Sequence, residues 1–148
     1  HFIDTDLIIQ AREKALLQEI IDQYGVLYFR HVEEQMLLHL NMEHCVIATG
    51  GSIIYSAKGV EELKRTGPFV YLQVSLATLQ QRITNMGSRG LVMEKGQSFT
   101  DLYRERAPLY EQAADLTIDC TGLNVEQVAA RIEASLQHAG QCQTRIPE

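Results

Sequence analysis

The apolar positions of this chain follow two alternating spacings. Short runs at residues 2–4, 45–49, 69–73 and 116–119 are brief and almost wholly apolar, the pattern of strands covered on both faces by helices. Between them the spacing is helical. Leu16, Leu17, Ile20 and Ile21 mark a helix over 15–24, and Phe29, Val32, Met36 and Leu40 form one stripe over 28–41. A short helix over 57–65 ends at Thr66-Gly67-Pro68, and Leu76, Leu79 and Ile83 mark another over 76–86. Ser98-Phe99-Thr100-Asp101 has the form of a capping box opening a helix that Pro108 should disturb. Val125, Val128, Ile132 and Leu136 share one face of a last helix over 124–138, and the residues after Gly140 lack periodicity and read as a frayed tail. Strand and helix in alternation predict a parallel α/β sheet.

Composition narrows the setting. With 148 residues and 45% hydrophobic content, the chain has apolar material for one domain with a real core, and no apolar run reaches the roughly 20 residues that span a bilayer. A net charge of -6 with scattered basic residues argues against a nucleic-acid or polybasic membrane surface. Cys45, Cys120 and Cys142 show no Cys-x-x-Cys spacing and read as reduced thiols of a cytoplasmic protein. The five histidines lack zinc-ligand spacing.

Five segments carry candidate chemistry. At the chain start, Asp4 and Asp6 flank Thr5, and period-two alternation would face both carboxylates to one site suited to Mg²⁺ and a hydroxyl. Asp4 or Thr5 could equally do no more than cap the following helix. Arg30, three and four residues before Glu33 and Glu34, is either one partner of a surface ion pair or a fork aimed at a substrate carboxylate. Gly50-Gly51, directly after a strand, lets backbone N–H groups approach a ligand, though a plain turn would use the same residues. Residues 87–97 are glycine-rich and aperiodic, the mark of a lid or a disordered loop, and Arg89 sits within them. In Arg106-Ala107-Pro108-Leu109-Tyr110, Leu109 and Tyr110 can anchor the segment and leave Arg106 aimed elsewhere.

In order and spacing these segments resemble one family, the shikimate kinases, from residue 2 to about 136. The signatures are Phe-x-Asp-Thr-Asp, Phe-Arg-x-x-Glu, Ala-x-Gly-Gly and Arg-x-Pro-Leu-Tyr. The resemblance implies a three-layer α/β/α fold of the P-loop nucleoside-monophosphate-kinase type over residues 1–139, with a lid near 87–98 and a flexible tail at 140–148. It implies Mg²⁺-assisted in-line transfer from ATP to a ring hydroxyl of shikimate, in a monomer with no nucleic-acid or membrane partner. By the same resemblance Asp4 would hold Mg²⁺ through water, and Asp6 would bind the acceptor hydroxyl as its base. Arg30 and Arg106 would clamp the acceptor carboxylate, Glu33 would orient the site, and Gly50 and Gly51 would line it. Arg89 would neutralise the transferring phosphoryl group, and Arg82 would stack on adenine. Such a kit suits phosphoryl transfer, which depends on positioning and charge neutralisation.

The chain departs from the family pattern at Val26, Ser52 and Gly90, where the family usually has Glu, Gly and Pro. These changes leave another small hydroxy acid open as acceptor. No Gly-x-x-x-x-Gly-Lys-[Ser/Thr] phosphate loop occurs in the 148 residues. The resemblance therefore leads us to expect about 30 residues ahead of His1, one strand–loop–helix unit that includes a central strand of the sheet. Without that unit the 148 residues are expected to bind ATP poorly and to fold less robustly. A non-catalytic remnant is the third reading; the coding sequence immediately upstream separates it from the kinase.

Overall fold

A computed structural model describes residues 1–40, 42–83, 91–93 and 96–143. The order of elements is β1 (Phe2–Asp4), α1 (Thr5–Glu13), α2 (Leu17–Tyr24), α3 (Val26–Leu38), β2 (Val46–Ala48), a 3-10 helix (Gly51–Tyr55) and α4 (Ala57–Thr66). Then follow β3 (Val70–Gln73), α5 (Leu76–Arg82), α6 (Phe99–Ala113), β4 (Leu116–Asp119) and α7 (Val125–Gln143). All four expected strands form, and all pair in parallel, as an α/β chain with helical crossovers requires.

The strands form two ribbons. β1 pairs with β2 from Phe2↔Val46 to Asp4↔Ala48, and β3 pairs with β4 from Val70↔Leu116 to Gln73↔Asp119. Among the described residues no ladder joins the two. Nor are the strands covered on both faces: Phe2 is 69% exposed, Val46 65% and Leu72 49%. Apolar composition predicts burial only where another layer packs on it, and these faces carry none among the described residues.

The core therefore lies among helices. Ile9 of α1, Ile20 and Ile21 of α2, and Phe29, Val32, Met36 and Leu37 of α3 bury together with Ile53 and Val92. α3 is the hub, packing against α1, α2, α4 and the 3-10 helix. It begins two residues before the expected start, at Val26, and its N-cap Gly25 has a φ of 84° that makes the sharp α2–α3 corner a side chain would strain. Leu40 still packs on the core edge, beyond the end of the helix.

The helix ends obey local chemistry. Ser56 accepts from the Gly59 N–H at 2.9 Å, and Asn124 and Gln127 exchange reciprocal 2.9 Å bonds at the start of α7. Ser98 and Asp101 form the expected capping box of α6. α6 then runs unbroken through Pro108, contrary to expectation. The ring lies on the exposed side, and the buried Leu102 and Arg106 hold the helix to the core in the turns just before the lost N–H. α7 reaches Gln143, beyond the expected helix end, and its first stripe residue, Val125, is 82% exposed instead of buried. Cys45 and Cys120 are free thiols. Among the described residues no helix is long and apolar enough to cross a membrane.

Candidate active site

The carboxyl ends of β1 and β2 lie side by side, and the residues leaving them build the site. Strand geometry stops at Asp4, so Asp4 and Asp6 do not alternate along an extended backbone as expected. Asp4 is the N-cap of α1 and accepts the Asp6 N–H at 2.9 Å through Oδ1, while Thr5 is fully buried at the first helical position. The cap turns Asp6 inward. Its Oδ1 is buried and has no hydrogen-bond partner, and burial together with the neighbouring Asp4 charge pushes its pKa up.

After β2 the chain passes through Gly50 and Gly51 against this carboxylate. A Cβ on Gly50 would lie 2.7 Å from Glu33 Oε1 and 2.9 Å from Asp6 Oδ1; on Gly51 it would lie 2.7 Å from Tyr110 Oη and 3.2 Å from Arg106 Nη1. Both residues are glycine because charged and polar side chains close on the backbone from two sides. Tyr110 donates to the Gly51 carbonyl at 2.7 Å, so the tyrosine expected as a core anchor holds this turn.

Glu33 is 3% exposed on α3 and accepts a short hydrogen bond from the Ser52 hydroxyl. Burial pushes its pKa from an ordinary 4.5 up to about 7, and the Ser52 bond opposes that rise. Arg106, 6% exposed on α6, donates through Nη2 to the Val92 carbonyl at 2.5 Å and through Nε to Tyr55 Oη at 3.3 Å. Asp6, Glu33, Gly50, Gly51, Ser52 and Arg106 line a cavity of about 170 Å³, with Leu91 and Val92 on its wall. These two residues belong to the segment expected as a lid, of which 87–90, 94 and 95 lie outside the described residues.

Arg30 takes neither of its expected partners. No ion pair joins it to Glu33 or Glu34; its guanidinium carbon instead stands 3.9 Å over the Tyr55 ring, and its buried Nε has no partner. Glu34 accepts from Ser56 Oγ at 2.5 Å. Arg30, Glu33, Ser52 and Tyr55 line a second cavity of about 230 Å³, which shares Glu33 and Ser52 with the first.

Six predicted residues therefore gather here: Asp6, Glu33, Gly50, Gly51 and Arg106 around one cavity, and Arg30 in the next. Asp4 stands behind Asp6 as its cap. Arg82 is exposed at the end of α5 and touches neither cavity. Arg89 lies outside the described residues. The reading of the sequence missed Tyr55, which meets both Arg30 and Arg106. The one available signal was an aromatic four residues beyond the glycine pair.

Two oxygen-rich carboxylates, a buried guanidinium and exposed backbone can receive a small hydroxylated acid. Residues 1–137 match the shikimate kinase family model. A shikimate kinase of Thermodesulfovibrio yellowstonii is 32% identical over 134 residues, 88% of this chain and 77% of that protein. One from Bacillus mycoides is 28% identical over 135 residues, 90% of this chain and 81% of that protein. Among solved structures, the shikimate kinase of Acinetobacter baumannii in complex with shikimate superposes with a TM-score of 0.80 at 29% identity, over 98% of this chain and 81% of its own. The Aquifex aeolicus shikimate kinase gives a TM-score of 0.79 at 26% identity, over 94% of this chain and 82% of its own.

Proposed function

This chain belongs to the shikimate kinase family, and from that premise we propose that it transfers a phosphoryl group from ATP to a ring hydroxyl of shikimate. The observation that carries the proposal is the unpartnered Asp6 Oδ1, held in a cavity whose other charged groups among the described residues are Glu33 and Arg106. A buried acceptor atom without a donor costs stability, and an incoming hydroxyl repays it. Asp6 receives that hydroxyl and then its proton. Burial has moved its pKa toward the range where a carboxylate works as a base. Arg106 and the unpartnered Nε of Arg30 grip the acceptor carboxylate. Glu33, fixed by Ser52, orients the ring, and the Gly50-Gly51 backbone lies against it. Arg89 neutralises charge on the group in transfer, and Arg82, free of the acceptor cavity, stacks on adenine.

The donor set fits Mg²⁺. Asp6 and the capping Asp4 behind it offer hard carboxylate oxygens near enough for their charges to interact, and Mg²⁺ commonly keeps waters and takes one or two carboxylates beside substrate phosphates. Asp4 would hold the ion through water, and the bound ion would supply charge neutralisation at the phosphates. The free Cys45 and Cys120 support a reducing compartment, in keeping with a cytoplasmic protein. One observation favours a different small hydroxy acid as acceptor: the Ser52 hydroxyl is buried in the wall of both cavities. The substitution Asp6→Asn tests the base. Steady-state turnover should fall about 10²-fold or more, whereas a near-normal rate would leave Asp6 as no more than a first-turn acid of α1.

A further inference from the structure

Tyr55 occupies a position that the roles above leave unassigned. It ends the 3-10 helix that follows the glycine pair and stands half-buried between α3 and α6. Its ring and its hydroxyl do different things. The Arg30 guanidinium lies 3.9 Å from the ring centroid, inside the range of a strong cation–π contact. The hydroxyl accepts from Arg106 Nε at 3.3 Å and donates to Glu105 Oε1 at 2.5 Å. Arg106 Cζ itself stands 5.3 Å from the same ring.

One side chain therefore touches both guanidinium groups, which come from different helices and line adjoining cavities. Arg106 has a second tether at the Val92 carbonyl, and Glu105 braces the tyrosine from α6 itself. Arg30 has no such support. Its Nε is buried without a partner, and no carboxylate among the described residues pairs with it, so the Tyr55 ring is the contact that fixes its plane. A free arginine carries many rotamers, and a bidentate grip on a carboxylate loses affinity if those rotamers must be frozen on binding.

We propose that Tyr55 is a positioning residue that sets Arg30 and Arg106 as a single preorganised clamp for the acceptor carboxylate. The ring orients Arg30, and the hydroxyl orients Arg106. This rests on the reading of the site as a shikimate pocket. The chemistry it recognises is a planar carboxylate on a small ring, and it acts on recognition of that group more than on recognition of the hydroxyls.

The test separates those two parts of the ligand. Shikimate and its methyl ester, which lacks the negative carboxylate, are titrated calorimetrically into the wild-type protein, Tyr55→Phe and Tyr55→Leu. Tyr55→Phe keeps the stack and loses the hydroxyl, so shikimate affinity should drop about threefold. Tyr55→Leu should drop it on the order of tenfold or more. Ester affinity should stay within about twofold in both, so that the acid-to-ester ratio collapses. Unchanged shikimate affinity in Tyr55→Leu, or equal losses for acid and ester, would overturn the proposal. A ligand-free measurement runs beside it. The Arg30 Nε–H proton, held over the ring, should resonate upfield of exposed arginines in the wild type and in Tyr55→Phe, and return toward them in Tyr55→Leu. An unshifted wild-type resonance would also overturn it. If wild-type protein binds no shikimate while the resonance behaves as expected, the proposed acceptor fails and the tyrosine–arginine arrangement stands.

Discussion

Glu33 and Gly50 meet at the centre of the site, and each explains the other. The 2.7 Å approach of Glu33 Oε1 to a Gly50 Cβ leaves no room for alanine, because Glu33 is itself buried and tied to Ser52. Gly50→Ala should push both carboxylates aside and weaken shikimate binding about tenfold or more, with a thermal melt that still shows a folded protein. Glu33 also gives a pH signature. Its pKa is raised by burial from 4.5 to about 7, so the folded protein holds a proton that the unfolded chain releases. Stability from this group is complete below about pH 4.5 and is lost as pH rises through about 7. Asp6, raised for the same first reason, pulls in the same direction. Denaturant melts between pH 5 and 8 should show this loss, of order 1–3 kcal/mol, and Glu33→Gln should flatten most of it. A wild-type curve that rises with pH across that window would contradict the assignment.

At the scale of elements, the turn from β1 into α1 shows how much one residue can do. Asp4 was open to two readings, cap and metal site, and the structure realises the cap. The two roles separate by substitution. Asn caps nearly as well as Asp, so Asp4→Asn should leave stability within about 0.5 kcal/mol while raising the Mg²⁺ concentration needed for turnover. Asp4→Ala should cost about 1 kcal/mol in a denaturant melt. Asp4→Asn with an unchanged Mg²⁺ requirement would leave Asp4 as a cap alone. Element types were readable because their signals are local: the capping box at Ser98 and the apolar stripe of α3. What failed depended on packing. Pro108 looked like a helix breaker because its neighbours Leu102 and Arg106 could not be known to be buried. Tyr55 was passed over because an aromatic after a glycine turn gains meaning only when Arg30 and Arg106 arrive from distant helices.

For the whole molecule, the helical subdomain of α1, α2, α3 and the 3-10 helix carries the core, and the acceptor cavity is cut into its edge. The parallel order of the strands was visible from the alternation of periods; which strands are neighbours came only from the family resemblance, since pairing between distant strands leaves no trace in local spacing. Burial of Arg106 at a cavity wall, a costly placement for a charge that makes no ion pair among the described residues, makes sense if that cavity normally takes an anion. The central claim, that this cavity receives shikimate for phosphorylation, is tested most directly by coupled ADP release from the protein expressed as its complete reading frame, with Mg²⁺-ATP, in the presence and absence of shikimate. Release should saturate with shikimate and stay at background without it. Equal release with and without shikimate would contradict it.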